Sequence, residues 1–398
     1  MKPRVAIVVQ RWAPAIAGGS EALAWQYAGL LADEFDVHLL TSTALDYVTW
    51  NSDLPEGVER IDGVSVHRFA PAFPRGDYFF TLDRRERADR EAGDATRWKT
   101  VWTTALQEEF VKFQGPWCPG LMEHLDAYAE QYDAVLLCTY LYPTSYFAAM
   151  RIRPHKLLLA PTLHDEPMAY LPVYARYRER IGRFLWLTQA ERDLAGRLWN
   201  VDRGEIIGMA IDAVRAQPEP AETPYLLYCG RVDIHKNCPE LLEWFALHRA
   251  AHPEIPLKLV LTGKDALGLH AMPDVEFLGF VSEERKLALM AGARALIQPS
   301  RYESFSIVVL EAMSQGTPII VNGACAVLAE HVAESGTGRA YRSRDEFDAA
   351  INALATLSPN ERQEQSRRAR DYAVKRYSRE RVRERLVAEV RAVVGQPQ

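Results

Sequence analysis

The chain of 398 residues is about twice as long as a typical domain, so its length predicts two units that each bury a core. With 48% hydrophobic and 25% charged residues, the composition is that of a globular protein and excludes a disordered or fibrous chain. The net charge of −6 leaves no overall basic surface, which argues against nucleic acid as a partner.

Cysteine spacing and hydropathy indicate the compartment. The five cysteines lie far apart without a C-x-x-C pair, so they predict reduced, buried thiols rather than a disulfide framework or a zinc knuckle. The apolar run after Arg4 is too short for the core of a signal peptide, and no run approaches the roughly 18 residues that span a bilayer. We therefore expect a cytoplasmic protein, and peripheral contact with the inner face of the membrane stays open.

Strand-like and helical patterns alternate through the first half of the chain. An apolar run at 4–9, a periodic helix at 20–33 and a strand at 35–42 predict a βαβ unit. Four further strand-like runs follow, at 64–69, 133–139, 156–161 and 184–188. This alternation predicts a Rossmann-like domain with a parallel sheet over residues 1–205.

Residues 71–119 break that pattern with a charged and aromatic stretch. The segment holds D-R-R-E-R-A-D-R-E at 83–91 and five large aromatic residues, which are Trp98, Trp102, Phe110, Phe113 and Trp117. We expect an insertion of one or two helices. The aromatic residues either pack inward beneath a solvated helical face or form a surface for an acceptor or a membrane.

A second α/β domain is predicted over residues 206–375. The proline-rich segment 216–224 has the composition of a linker and is interpreted as the hinge. Beyond it come strand-like runs at 225–230, 257–263, 275–280, 295–300 and 318–323, with helical patterns near 239–251, 282–292 and 306–315. The residues from about 358 onward predict solvated amphipathic helix that is rich in Arg and Glu.

The pattern with the most chemical content is R-Y-E-S-F-S-I-V-V-L-E-A-M-S-Q-G-T-P at 301–318. Ser304 or Ser306 is expected to cap a helix here, and the glycine and proline at 316 and 318 end it. A helix that starts at the carboxyl end of a strand offers the N–H groups of about 305–308 to a diphosphate. Glu311, about two turns inside the helix, can accept ribose hydroxyls, and Glu303 can hold sugar hydroxyls beside an oxocarbenium-like transition state.

Two further segments follow strands and carry polar residues. The segment C-G-R-V-D-I-H-K-N at 229–237 supplies Gly230 for close backbone approach, with Arg231 and Lys236 as cations for a leaving diphosphate. No D-x-D flanked by apolar strand residues occurs, so we expect these cations to act without a metal. A surface Arg–Lys pair and two chance glutamates are the alternative interpretation.

The first half contributes a glycine pair and a histidine. Gly18 and Gly19 precede a helix, so their amides can approach a phosphate or a sugar hydroxyl, although a plain turn is the alternative. His164 and Asp165 end the strand at 157–161 and can point toward a cleft between the domains. His164 either binds the donor sugar or stabilises its own loop.

Taken in order, these segments resemble the GT-B glycosyltransferases, in particular family GT4. The resemblance rests on the early G-G loop, the H-D pair, the G-R…K-N segment, F-L-G-F at 277–280 and the E-x(7)-E motif of Glu303 and Glu311. It covers nearly the whole chain. Ser304 and Ser306 stand where the family often has glycines beside the phenylalanine, and Asn237 stands where it usually has glycine after the lysine.

The resemblance implies a fold of two Rossmann-like domains facing a deep cleft, with a C-terminal helix of about 376–398 that packs back on the first domain. It implies metal-independent, retaining front-face transfer with no cofactor. Glu303, His164, Arg231 and Lys236 would be catalytic. The donor would be bound by Gly230, Arg231, Lys236, Gly263, Ser304, Phe305, Ser306, Ile307 and Glu311, and Gly18, Gly19 and Asp165 would form the acceptor or phosphate loop.

The expected reaction moves a hexose from a nucleotide-sugar, UDP-linked or else GDP-linked, to a saccharide, lipid-linked or small-molecule hydroxyl. Such transfer is typical of the synthesis of cell-surface polysaccharides and glycoconjugates. A GT-B epimerase or phosphorylase is one alternative, and a non-catalytic protein that binds nucleotide-sugar or glycan is the other. Linkage, acceptor and oligomeric state stay open.

Overall fold

The computed structural model describes residues 2–16, 18–91 and 100–395, and the chain forms two compact units. The first unit is Met1–Gly208 together with Arg383–Gln398, and the second is Met209–Val382. Boundaries were expected at 205/206 and 375/376, and the observed ones lie a few residues later. Trp98 and residues 396–398 lie outside the described residues.

The first unit contains one eight-stranded sheet. Its order is β3-β4-β2-β1-β5-β6-β7-β8, and every neighbouring pair is parallel except β3 and β4. The central strands are buried on both faces, as parallel sheets require. The strands are β1 (Arg4–Val8), β2 (Asp36–Ser42), β3 (Gly57–Ile61), β4 (Val64–Phe69), β5 (Ala134–Cys138), β6 (Leu157–Ala160), β7 (Arg183–Trp186) and β8 (Glu205–Ile206).

Helices of the first unit include two in the predicted insertion, α2 and α3. Phe110 and Trp102 are buried there, so part of the aromatic set packs inward, whereas Tyr78 and Phe80 are exposed. The C-terminal residues join this unit through Arg183, whose Nη1 lies 2.8 Å from Oε2 of Glu389. The helices are α1 (Gly19–Leu31), α2 (Asp77–Glu91), α3 (Thr104–Gln114), α4 (Pro119–Tyr128), α5 (Pro143–Ala149), α6 (Tyr177–Arg180) and α7 (Gln189–Trp199).

The second unit contains a six-stranded, fully parallel sheet in the order β11-β10-β9-β12-β13-β14. The chain order reverses between β9 and β12, the kind of position where open α/β sheets bind ligands beyond the carboxyl ends of their strands. The strands are β9 (Tyr225–Cys229), β10 (Lys258–Thr262), β11 (Val275–Phe277), β12 (Ala295–Gln298), β13 (Ile319–Asn322) and β14 (Arg339–Tyr341).

Helices flank this second sheet and continue to the C-terminus. Ser358 and Glu361 form a reciprocal capping box at the start of α13. The helices are α8 (Cys238–Ala251), α9 (Glu283–Gly292), α10 (Ile307–Ser314), α11 (Ala326–Ser335), α12 (Arg344–Ala355), α13 (Pro359–Tyr377) and α14 (Arg379–Val394). Among the described helices, none is both long and apolar enough to cross a bilayer.

The interpretation of residues 216–224 as a hinge is wrong. The units divide between Gly208 and Met209, and the proline-rich segment lies inside the second unit. Glu219 donates its backbone N–H to the Ala288 carbonyl at 3.1 Å and pairs with Arg285 at 2.9 Å. A polar, proline-rich composition is compatible both with a hinge and with a segment that forms hydrogen bonds along one unit, so composition alone does not distinguish the two. The prediction for the cysteines is confirmed, since all five are free and buried.

Candidate functional site

The loop between β12 and α10 brings the glutamate motif to the carboxyl edge of the second sheet. Helix α10 begins at Ile307, and Ser306 precedes it with a left-handed backbone at φ +61°. The expected serine cap is wrong, because no side chain in the described part of the chain caps this helix. Instead, Ser306 Oγ accepts a hydrogen bond from Gln298 Nε2 at 3.2 Å. The first N–H groups of α10 therefore stay available to an anion.

The buried side chain of His331 hydrogen-bonds to the loop between β12 and α10. His331 Nε2 lies 2.9 Å from the carbonyl of Phe305, and its Nδ1 lies 2.9 Å from the hydroxyl of Tyr372. The carbonyl can only accept, so Nε2 carries the hydrogen and Tyr372 donates to Nδ1. Burial lowers the pKa of His331 to about 4. The sequence analysis missed this residue. It holds the loop through a hydrogen bond to its backbone and is not one of the residues of the glutamate motif.

Lys236 and Glu303 meet across the ends of β9 and β12. The Nζ atom of Lys236 lies 2.6 Å from Oε1 of Glu303, and the Glu303 side chain is only 11% exposed. Asp233, which the sequence analysis also missed, accepts the backbone N–H of Lys236 at 2.8 Å and pairs with the Nε of Arg231. One buried carboxylate thus holds the guanidinium of Arg231 and the backbone of Lys236.

Asn237 takes a left-handed backbone at φ +60° at the start of α8. Its side-chain amide donates to the carbonyl of Pro299 at 3.3 Å, which ties this turn to the end of β12. Asn237 and Ser306 are both at positions where the resembling family favours glycine, and both have the positive φ that glycine adopts most easily. The local backbone explains the family preference, although this chain uses other residues.

Glu311 lies one turn inside α10, as its fifth residue, rather than about two turns inside. Its Oε2 atom lies 2.8 Å from Nζ of Lys286, which also pairs with Glu283. Burial raises the pKa of Glu311, and the nearby Lys286 ammonium only partly offsets that effect. Lys286 was not predicted as a site residue, although it holds the carboxylate expected to bind ribose.

Gly230 and Gly263 mark where β9 and β10 end beside each other. Both have positive φ, at +149° and +124°. A Cβ atom on Gly263 would lie 2.0 Å from the carbonyl oxygen of Gly230, which no side chain allows. The backbones therefore approach too closely for any residue except glycine at 263.

The second unit thus gathers the expected donor residues at the ends of three adjacent strands. Gly230, Arg231 and Lys236 follow β9, Gly263 follows β10, and the segment 303–307 follows β12. Two cations, an uncapped helix start and two largely buried carboxylates suit a ligand that combines a diphosphate with hydroxyl groups.

In the first unit, Gly18 and Gly19 lie at the start of α1, with a carboxylate beside them. Glu21 is buried, its Oε1 accepts from Arg11 Nε at 2.6 Å, and its Oε2 accepts from Ser20 Oγ at 2.8 Å. A Cβ on Gly18 would lie 2.3 Å from Oε2 of Glu21. The carboxylate at this helix start disfavours a phosphate there and favours hydroxyl groups.

His164 lies four residues beyond the end of β6, and the sequence analysis also missed Glu166, two residues further on. His164 Nδ1 is 3.6 Å from Oε1 of Glu166, which also accepts from the hydroxyl of Tyr140 at 2.8 Å. Burial alone would raise the pKa of Glu166, but the nearby His164 imidazole and the hydrogen bond from the Tyr140 hydroxyl outweigh it and leave the pKa lowered. Asp165 is exposed and accepts from the hydroxyl of Tyr170 at 2.6 Å.

The side chain of Glu191 hydrogen-bonds to the segments that follow the neighbouring strands β6 and β7. Its carboxylate accepts the backbone N–H groups of Leu163 at 2.7 Å and Leu187 at 2.6 Å. Complete burial raises the pKa of Glu191 to about 7, and the hydrogen bonds from the backbone partly offset that rise. The segment that carries His164 is thus fixed by a buried carboxylate on α7.

Comparison with known proteins shows what the second unit is similar to. Residues 211–376 match the family model described as glycosyl transferases group 1. Glycogen synthase of Mycobacterium tuberculosis is 31% identical over 166 residues, which are 40% of this chain and 39% of that protein. A mannosyltransferase of Xanthomonas oryzae, named GDP-mannose:cellobiosyl-diphosphopolyprenol alpha-mannosyltransferase, is 28% identical over 54% of this chain and 60% of its own length. The chain thus spans about two fifths of the length of the first of these relatives.

Solved structures match almost the whole chain. Sucrose-phosphate synthase from Thermosynechococcus elongatus has a TM-score of 0.70 at 17% identity and covers 98% of both chains. HepE from Anabaena, in complex with UDP and glucose, has a TM-score of 0.66 at 14% identity and covers 98% of this chain and 100% of its own. These neighbours have the GT-B fold of two Rossmann-like domains, so the fold predicted from the sequence is confirmed.

Proposed function

We propose that the protein is a retaining glycosyltransferase, because residues 211–376 in its second unit match the family model of the glycosyl transferases group 1. It moves a hexose from a nucleotide-sugar to a hydroxyl of a saccharide, lipid-linked or small-molecule acceptor. The contact that carries the proposal is the 2.6 Å pair of Lys236 and Glu303 beside the uncapped start of α10. That arrangement supports a site for a diphosphate and the sugar attached to it.

In this proposal, Arg231, Lys236 and the first N–H groups of α10 bind the diphosphate. The ammonium of Lys236 has three hydrogens, so it can donate to a phosphate oxygen while it keeps Glu303 in place. Glu303 lies beside the sugar, and Glu311 accepts hydrogen bonds from ribose hydroxyls. Gly230 and Gly263 keep the backbone close to the nucleotide.

The proposed transfer is a front-face reaction. The bond from the anomeric carbon to the diphosphate breaks, and the acceptor oxygen bonds to that carbon on the same face. The acceptor proton passes to a phosphate oxygen of the departing diphosphate, so no protein nucleophile is needed. Arg231, Lys236 and the helix dipole stabilise the leaving charge, which makes the reaction independent of a metal or cofactor.

The first unit is proposed to bind the acceptor. Gly18, Gly19 and Asp165 contribute to it, and the buried Glu21 favours hydroxyl groups over phosphate at the α1 start. His164 is proposed as a catalytic residue that binds the donor sugar. UDP is the favoured nucleotide and GDP the second candidate: solved neighbours are described with UDP, and two relatives are named for GDP-mannose. Because such donors are cytoplasmic metabolites, we place the activity in the cytoplasm, at the inner face of the membrane if the acceptor is lipid-linked.

Donor turnover tests the proposal. Purified protein is incubated with UDP-glucose or GDP-mannose in excess EDTA, with and without a panel of sugar and lipid-linked acceptors. Proton NMR follows the anomeric configuration of the product. We expect transfer from one donor with the α configuration kept, and a loss of about 100-fold in rate for Glu303→Gln.

Three results would contradict the proposal. A donor isomer formed without acceptor indicates an epimerase, and a strict requirement for inorganic phosphate indicates a phosphorylase. Nucleotide binding without turnover on any acceptor, equal in wild type and Glu303→Gln, indicates a binding protein without catalysis.

A further inference from the structure

Two histidines and an aspartate meet on the outer face of the second unit, away from the donor residues. His248 lies in the last turn of α8, His252 directly follows the end of that helix at Ala251, and Asp348 faces both from α12. Their ligand atoms all lie within 4.8 Å of one another, and in the described part of the chain no other group of three such side chains comes as close. His248 is buried, whereas the side chains of His252 and Asp348 are 28% and 33% exposed.

The distances within this cluster are close to those of a metal site. His248 Nδ1 lies 2.8 Å from Oδ1 of Asp348, and His252 Nε2 lies 3.0 Å from Oδ2. In a tetrahedral zinc site with bonds of about 2.0–2.2 Å, neighbouring ligand atoms are roughly 3.3 Å apart. To accept an ion, the Asp348 oxygens would need to move a few tenths of an ångström away from the imidazole nitrogens, and the most distant ligand atoms, at most 4.8 Å apart, would need to approach by up to about 1.5 Å.

Asn352 can complete the ligand set. Its Nδ2 atom lies 3.1 Å from His252 Nε2 and 3.0 Å from Asp348 Oδ2, while its Oδ1 is buried without a hydrogen-bond partner among the described residues. A half-turn of the amide exchanges the two atoms and points Oδ1 at the cluster. Two nitrogen and two oxygen ligands would then surround one point.

We infer that these four side chains form a binding site for a divalent transition cation of the Zn²⁺ type. The second nitrogen of His252, Nδ1, lies 3.5 Å from Oε1 of Glu254, so a carboxylate can hold the proton there and keep Nε2 free for the metal. His248 lacks this support, because its Nε2 has no partner in the described residues. We therefore expect micromolar rather than nanomolar affinity.

This site stabilises the unit and takes no part in sugar transfer. Helix α8 starts next to Lys236, and His248 follows Asn237 by eleven residues, which places it about 16 Å along the helix from that end. An ion there links the end of α8 to α12 and cannot touch a diphosphate bound by Lys236 beside the other end of that helix. The inference is therefore independent of the proposed function.

Zinc binding to the full chain tests the inference. Protein stripped with a chelator is titrated with Zn²⁺ by calorimetry, and its thermal midpoint is followed with and without Zn²⁺. We expect one ion per chain and a higher midpoint. His252→Gln and Asp348→Asn should each weaken binding at least about tenfold, whereas His270→Gln and Asp345→Asn, at exposed positions of the same unit, should leave it unchanged.

Equal zinc binding by wild type and by the His252 and Asp348 variants would overturn the inference, as would no binding at all. If those variants do not fold, Co²⁺ absorption by the unaltered protein decides. Tetrahedral bands without sulfur charge transfer support the site. The weak spectrum of the hydrated ion, or bands from cysteine sulfur, would refute it.

Discussion

Replacing Gly263 by alanine tests how closely the ends of β9 and β10 approach. The new Cβ would lie 2.0 Å from the Gly230 carbonyl oxygen, against an ordinary contact distance of about 3.5 Å. The two chains must therefore move apart by roughly 1.5 Å. We expect overpacking to cost about 1–3 kcal/mol, and a φ of +124° to add about 1–3 kcal/mol for a residue with a side chain.

Gly268→Ala is the matched control. Its φ is also positive, at +69°, but no heavy atom lies within 4 Å of the added Cβ. We expect it to cost only about 1–2 kcal/mol for the left-handed backbone. The difference between the two variants then measures the clash together with the greater backbone strain at φ +124°.

Hydrogen exchange is the suitable assay, because a chain of two units need not unfold in one step. Amides of β9 and β10 should lose protection by about 2–6 kcal/mol in Gly263→Ala, and nucleotide affinity should fall because Arg231 follows Gly230 directly. Equal protection in Gly263→Ala and Gly268→Ala would refute the close approach.

Three more predictions follow from single contacts. Ser306→Ala and Asn237→Ala should each lower the free energy of unfolding of the second unit by about 1–2 kcal/mol, since each removes a side-chain hydrogen bond, to Gln298 or to Pro299, and keeps φ near +60°; calorimetry checks this. Asp233→Asn should weaken nucleotide binding by about tenfold in a calorimetric titration, because Asp233 positions Arg231 and Lys236. Burial lowers the pKa of His67 from 6.5 to about 4. Between these values the unfolded chain binds a proton that the folded chain does not, so the free energy of unfolding falls with decreasing pH, by up to about 3 kcal/mol. Denaturant titrations at several pH values should show that His67→Gln flattens this part of the stability profile.

The sequence predicted the strands well because buried parallel strands are short, continuous apolar runs. All eleven predicted strands exist with ends within a few residues, but edge strands were missed. The strand Gly57–Ile61 is mostly exposed and lacks an apolar run. Its hairpin turn at Asp62 and Gly63, where both residues have positive φ, was a usable signal, since Asp-Gly favours such turns.

The positions of Lys236 and Glu303 at one sheet edge were predictable, because each lies in a polar segment that follows a short apolar strand. Residues that support the site from elsewhere in the chain were not predictable. His331 contacts Phe305 from 26 positions away, and Lys286 reaches Glu311 from a preceding helix. Neither contact has a local pattern, because a buried hydrogen bond depends on how the helices pack against the sheet.

The most direct test of the donor site is thermal unfolding with UDP, GDP, ADP and their sugars in excess EDTA. It compares wild type with Lys236→Ala and with Lys258→Ala, a lysine at the opposite end of the same sheet that pairs with Glu276. The account predicts a shift with one nucleotide that survives EDTA, persists in Lys258→Ala and disappears in Lys236→Ala. A shift retained in Lys236→Ala, or no shift with any nucleotide, would contradict it.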